Sequence, residues 1–320
     1  MQNMIRTLGA LALLLPILSR AADDAAGCRY VPAGKLELAF SGQSPQAFVS
    51  STINGKPVRA ILGTGSYTTF VTRGGADRLG LSFQPNGRYS IGVGGYSMMS
   101  VAKVDDFSLG ASHTGKTQLL VNGSGTDPDV IVGADLLLQN DMELSLAEKY
   151  VRFFKASNCS GSFLAYWDRE AMALPFTGIQ AASNKPIFSV ELNGVKLKAM
   201  LDTGSARSSV TRDGAKRAGI GFDDPGLRHG DHIVGFGNDT LATRLATFDS
   251  FKIGTETIQH ADLVVINFSP AASSDVDVVL GADFLRAHRV LFAMSQNRLY
   301  MSYVGGKVFT SHPQRNNDQP

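Results

Sequence analysis

Residues 199–208 read AMLDTGSARS, and residues 60–69 read AILGTGSYTT. In both, an apolar run meets Thr-Gly-Ser, but the residue before that tripeptide is Asp202 in one copy and Gly63 in the other. A carboxylate placed where a strand breaks into a turn can accept or release a proton, or hold a water molecule for attack. A glycine can do neither. Asp, Thr, Gly and Ser all form turns, so a plain surface turn is the competing reading. Against it, Asp202 follows an apolar strand and the turn occurs twice in one frame.

The frame extends well beyond the turn. INGKPVRAILGTGSYTTFVTRGGADRLG (53–80) lies over LNGVKLKAMLDTGSARSSVTRDGAKRAG (192–219) at a constant shift of 139, sharing N-G, T-G-S, V-T-R and the closing Gly. Upstream, LAFSG (38–42) resembles LPFTG (174–178); downstream, FSLG (107–110) matches FKIG (251–254), and VIVGADLLLQ (130–139) matches VVLGADFLRA (278–287). The shift widens between blocks, so insertions fall in loops and the chain is one unit written twice.

Within each unit the elements read as strands. FVSSTING and IFSVELNG alternate and stop at Asn-Gly, a hairpin signal, and VRAIL and LKAML then run into the turns. RYSIGVGGYSMMSVAKV (88–104) and HIVGFGNDTLATRLATF (232–248) read as hairpins with Gly-rich tips. Short helices are expected at TRGGADRLG, TRDGAKRAG, ADLLLQN and ADFLRAH, with Asp135 and Asp283 capping the last two.

A strand ending in apolar-Asp-Thr-Gly-Ser, a Gly-tipped hairpin, and an apolar-apolar-Gly segment before a short helix together resemble the aspartic protease superfamily. The small lobes resemble the retropepsin-like unit, fused in tandem as in pepsin-like proteins, and the likeness covers roughly residues 35–304. It implies an all-β, bilobal fold of two barrel-like lobes with short helices and a central cleft. It implies an endopeptidase in which one Asp from each lobe shares a water and a proton. Two close carboxylates cannot both ionise, so one acts as base and the other as acid.

By the same resemblance, Thr64 and Thr203 hydrogen-bond across the lobe interface, Ser205 bonds the outer oxygen of Asp202, and Gly65, Ser66 and Gly204 complete the turns. Gly94, Gly95 and Tyr96, with Gly235, Phe236 and Gly237, would be flaps over an extended peptide or protein substrate. Ile131–Gly133 and Val279–Gly281 would pass behind the turns.

Gly63 departs from the pattern by leaving the first dyad position vacant. Asp202 then has no partner acid opposite it. Loss of a positioned acid or base costs roughly 10²–10⁴-fold, so activity is expected to be lost or very low. The alternative is a pseudo-peptidase that binds extended peptide by strand addition without cleaving it. Pairing of second lobes from two chains would rebuild a dyad. The tethered first lobe should win that contact, which favours a monomer.

Other chemistries find little support. Six histidines are scattered and the two cysteines lack ligand spacing, so no metal site or cofactor is expected. GVGG (92–95) and GFG (235–237) do not open a helix after a strand, which argues against phosphate binding. A net charge of +2 from dispersed residues makes no case for nucleic acid.

The N-terminus has Arg6, an apolar stretch from Leu8 to Leu18, and small residues around Ser19–Ala22, the layout of a secretory signal peptide over 1–22. That stretch is shorter than the roughly 20 residues a membrane span needs. The protein is thus expected to be exported, periplasmic or secreted, with no stable span after cleavage. Cys28 and Cys159 are then expected to form one disulfide. A lipoprotein box at Ala25–Cys28 is the weaker reading, because Asp23 and Asp24 separate it from the apolar core. The expected organisation is an N-terminal lobe at 28–160, a connector at 161–173, a C-terminal lobe at 174–304 and a disordered tail at 305–320. Phe163, Tyr166 and Trp167 in the connector are expected to pack as core.

Overall fold

The computed structural model describes residues 27–41, 45–92, 95–123, 125, 127–180, 183–231, 233–234, 240–267 and 276–309. The expected signal segment lies outside them, as do the tail beyond 309 and Gly94, Gly235, Phe236 and Gly237.

The repeat becomes two lobes because each copy builds the same strands in the same order. Strands Ala47–Ile53 and Lys56–Gly63 form a hairpin, matched by Ser183–Leu192 and Val195–Leu201. Both turn at Asn-Gly with positive φ at both residues (Asn54 50°, Gly55 76°; Asn193 49°, Gly194 76°). Such turns follow the right-handed twist of the flanking strands.

The strand that ends at each Thr-Gly-Ser lies parallel to the apolar segment from far downstream. Gly63 sits beside Gly133, and Leu201 beside Leu280. Each lobe closes on its first strand: Ala47–Ile53 pairs with Phe107–Leu109, and Ser183–Leu192 with Thr243–Ile253. The fold is therefore all-β, bilobal and barrel-like within each lobe, as the resemblance implied.

The lobes share a sheet that the repeat did not announce. Met172–Pro175, Arg298–Tyr303, His288–Ala293, Asp141–Ser145, Tyr150–Ser157 and Arg29–Phe40 run side by side, all antiparallel. The lobes meet where Met142–Ser145 pairs with Phe292–Arg289. Glu143, fully buried at that seam, accepts hydrogen bonds from Tyr150 Oη (2.5 Å), Tyr166 Oη (2.5 Å) and Arg289 Nε (2.9 Å). A charge at 0% exposure persists because an opposite charge and hydroxyl donors surround it. Cys28 and Cys159 are disulfide-bonded and tie the first strand to the start of the connector.

Two expectations are corrected here. Phe163 and Tyr166 are about half exposed (47% and 54%). Tyr166 and Trp167 serve the seam, the first through Glu143 and the second with its ring 4.6 Å from the Arg289 guanidinium. The segment from Gly305, expected to be disordered, carries a buried residue. Phe309 is buried against the rings of Phe251 (5.1 Å) and Phe284 (5.9 Å), so one apolar side chain anchors an otherwise polar segment.

Candidate active site

The two turns face each other across the lobe interface. Thr64 N donates to Thr203 Oγ1 and Thr203 N to Thr64 Oγ1, both at 3.1 Å. Each hydroxyl donates onward to the opposite strand, Thr64 Oγ1 to Leu201 O (2.9 Å) and Thr203 Oγ1 to Leu62 O (2.7 Å). All four bonds are buried, and their symmetry leaves each turn little freedom relative to the other.

Asp202 sits within this lattice. Its Oδ1 accepts from Gly204 N (2.9 Å) and, across the interface, from Gly65 N (3.0 Å); its Oδ2 accepts from Ser205 Oγ (2.9 Å). Gly65 and Gly204 are needed for close approach. A Cβ on Gly65 would come within 2.5 Å of Asp202 Oδ2, and one on Gly204 within 3.2 Å of Oδ1 and of the Gly63 Cα. Neither residue has a positive φ, so the turns use the missing Cβ rather than a left-handed backbone.

The first turn keeps this geometry without a carboxylate. Ser66 N donates to Gly63 O at 2.9 Å, as Ser205 N does to Asp202 O at 3.2 Å. The Ser66 hydroxyl, with no Asp beside it, turns to Thr68 O at 2.8 Å. The space a side chain at position 63 would use is taken: a Cβ there would lie 2.8 Å from Ile131 Cγ2. Ile131 belongs to a small buried cluster with Ile61 and Phe70.

The segments behind the turns are held by paired brackets. Asp135 Oδ1 accepts from Thr69 N (2.8 Å) and Thr69 Oγ1 (2.7 Å), while Gly133 N donates to Thr69 Oγ1 (2.9 Å). Asp283, Ser208 and Gly281 repeat the arrangement in the second lobe. Asp135 and Asp283 therefore do not cap their helices, whose N-caps are Gly133 and Gly281. Each sits one residue inside the first turn, where its carboxylate reaches sideways to the facing loop. Burial pushes the Asp283 carboxyl above the usual range, against the pull of its Ser208 and Phe284 donors.

The first-lobe hairpin comprises Phe83–Gly92 and Gly95–Val104, pairing Gly92 with Gly95 and Ile91 with Tyr96. Tyr89, Ile91 and Tyr96 are exposed along it. In the second lobe the described residues pair Ile233–Val234 with Thr240–Leu241 and Arg228–His229 with Leu245–Arg244.

Two cleft residues escaped the sequence reading. Gln46 of the first lobe donates from Nε2 to Gly204 O at 2.5 Å. Lys185 of the second lobe places its Nζ 3.5 Å from the ring centroid of Tyr67, the residue after the first Thr-Gly-Ser. Positions 46 and 185 are equivalent at the shift of 139, so the repeat sends one polar arm from each lobe toward the other's turn. Burial lowers the Lys185 ammonium to about 8, against an opposing pull from Asp202. The alignment could have flagged the pair, but a lysine beside an irregular hairpin carries no sequence signal of burial.

Among the described residues, no group of three or more His, Cys, Asp or Glu side chains is placed to hold a metal ion. No described helix is long and apolar enough to cross a membrane.

The crystal structure of an aspartic proteinase from Irpex lacteus superposes with a TM-score of 0.52 at 13% identity, covering 84% of this chain and 97% of that one. At that identity the likeness speaks for the fold alone. None of the curated proteins matches the chain in sequence. The family model described as aspartyl protease matches residues 49–136 and 188–284, one segment around each Thr-Gly-Ser turn and together more than half of the chain. On that match, joined to the fold, the chain belongs to the aspartyl protease family.

Proposed function

We propose that this chain is a bilobal aspartic peptide hydrolase reduced to low activity by the glycine at position 63. The observation that carries the reading is one carboxylate, Asp202, held by three donors at the lobe interface, with the Cα of Gly63 opposite. Asp202 is placed to orient a water and take its proton. Gly63, across from it, has no side chain to protonate the carbonyl oxygen. The substrate is an extended peptide lying between the flaps and the turns. The protein acts as an exported monomer, periplasmic or secreted. The Cys28–Cys159 disulfide supports an oxidising compartment, and the leader-like N-terminus supports export.

A pseudo-peptidase reading draws on Ile131, whose methyl fills the space a restored side chain would need. Peptide hydrolysis across pH separates the two readings, comparing the wild-type chain with Gly63→Asp/Ile131→Val, in which Ile131 takes the residue of its counterpart Val279. The hydrolase reading expects a gain of roughly 10²-fold or more at acidic pH, abolished by adding Asp202→Asn. A folded double variant that binds peptide but does not cleave it would favour the pseudo-peptidase.

A further inference from the structure

The cleft residue without an assigned task is Lys185. It leaves the second lobe near the start of strand Ser183–Leu192 and ends over the Tyr67 ring, on the far side of the interface from its own backbone. Its repeat counterpart Gln46 makes the mirror-image crossing and spends its amide on Gly204 O. Lys185 is placed differently. Among the described residues no acceptor takes any of its N–H groups and no carboxylate lies within salt-bridge distance. The charged group acting on it is Asp202, and the other titratable group against it is Tyr67, which presents its ring. A half-buried ammonium with no carboxylate in hydrogen-bond contact is costly to keep. It is nevertheless held over Tyr67, four residues past Gly63, while its repeat counterpart Gln46 reaches the turn that carries Asp202.

We propose that Lys185 is the proton donor opposite Asp202, so that the cleft works with an ammonium–carboxylate pair in place of two carboxylates. The inference rests on the hydrolase reading and deepens it. In the first step Asp202 takes a proton from water as the water oxygen bonds to the scissile carbonyl carbon. The carbonyl π pair moves to oxygen, which takes a proton from the Lys185 ammonium. In the second step the C–N bond breaks and the leaving nitrogen takes the proton held by Asp202. One hydroxyl of the diol returns its proton to the Lys185 amine as the carbonyl re-forms. One peptide and one water give an acid and an amine, and both side chains return to their starting charge.

The pair inverts the pH behaviour of a two-carboxylate site. A dyad needs one proton shared between acids and works in acid. The Lys185–Asp202 pair needs the lysine charged and the aspartate ionised, so it works at neutral pH and fails as Lys185 deprotonates near 8. The substrate class is a neutral internal peptide bond, since an additional anion beside Asp202 would compete with it for the ammonium.

The test uses fluorescein-labelled casein with the full chain, measured from acidic to alkaline pH. Wild type is expected to show weak turnover whose alkaline limb falls near pH 8. Lys185→Met should lower kcat at least about 100-fold with KM unchanged within a few-fold. Lys185→Arg keeps the charge but does not give up its proton. It should recover little turnover and lose the alkaline limb. Independently of turnover, the lysine side-chain resonances of Lys185, followed by NMR through a pH titration, should titrate at lower pH in Asp202→Asn.

Equal turnover in Lys185→Met and wild type overturns the inference and leaves the hydrolase reading standing. So does a Lys185→Arg as active as wild type, or an unmoved titration in Asp202→Asn. An inert wild type beside an active Gly63→Asp/Ile131→Val also overturns it while supporting that reading. No cleavage by any variant, with peptide still bound, overturns both.

Discussion

The two Thr-Gly-Ser turns share a skeleton and differ in chemistry. Each gives a threonine to the same crossed lattice at the same 3.1 Å, each closes with a serine N–H on the carbonyl three residues back, and each is backed by a Gly-Ala-Asp bracket. In the second lobe these devices converge on a carboxylate. In the first they enclose a glycine, a redirected serine hydroxyl and an isoleucine methyl. The same scaffold thus surrounds a carboxylate in one lobe and a glycine in the other. Geometry and chemistry separate here because the lattice is built from main-chain groups and threonine hydroxyls, none of which needs the Asp side chain. A turn without a carboxylate still holds its neighbour's in place, since Gly65 of the first turn donates to Asp202.

The sharpest way to break the comparison is to exchange its one difference. Asp202→Asn should abolish whatever hydrolysis exists, and Gly63→Asp/Ile131→Val should raise it by roughly 10²–10⁴-fold, read as kcat on a peptide substrate. Gly63→Asp alone should gain less, because the new Cβ meets Ile131 Cγ2 and crowding of that kind costs about 1–3 kcal/mol.

Next in size is the seam that lets the turns face each other. Glu143→Ala leaves Arg289 buried without its carboxylate. It should cost about 3–5 kcal/mol by chemical denaturation, whereas the exposed Lys35–Glu37 pair should cost under about 1 kcal/mol when broken.

The lattice itself is tested by symmetry. Thr64→Val and Thr203→Val each remove one hydroxyl that accepts and donates across the interface. Each should lose about 1–3 kcal/mol, with the two values close to one another. A large inequality would mean that the lobes are less equivalent than their bond lengths suggest.

Lys185 against Gln46 sharpens the comparison through pH. The fold lowers the Lys185 ammonium from 10.5 to about 8, so below 8 both folded and unfolded chains carry its proton and the full cost of burial is present. Between about 8 and 10.5 only the unfolded chain holds it, and wild-type stability rises with pH relative to Lys185→Met. The methionine variant should be the more stable at neutral pH, by at most about 3 kcal/mol. That advantage should shrink through this window, measured as Tm against pH.

The smallest expected effect is on the serines. Ser66→Ala should leave turnover and stability nearly unchanged, while Ser205→Ala removes a donor to Asp202 and should lower turnover by about tenfold.

Much of this was legible in residue order. Asn-Gly steps, alternating strands and the recurrence at 139 give two β lobes, because turn chemistry and side-chain alternation are local properties. The Thr-Gly-Ser frame located Asp202 and its vacant twin for the same reason. Asp135 and Asp283 show where local reading stops. Next to a helix start they look like caps, and only the packed loop shows that, besides accepting from Leu136 N and Phe284 N, they reach Thr69 and Ser208. Glu143, Arg289 and Tyr166 belong to three separate stretches, and no spacing rule joins them.

What the sequence determined by itself is the repeat, the turn and the Asp202–Gly63 difference between its copies, all carried by nearest neighbours along the chain. The tertiary structure alone decided what surrounds that difference: Ile131 against the Gly63 Cα, Gly65 bonded to Asp202, and Lys185 crossing from the other lobe. Those contacts depend on how two barrels are held face to face by a shared sheet. The free energy of that arrangement comes from burial and hydrogen bonding between segments far apart in sequence.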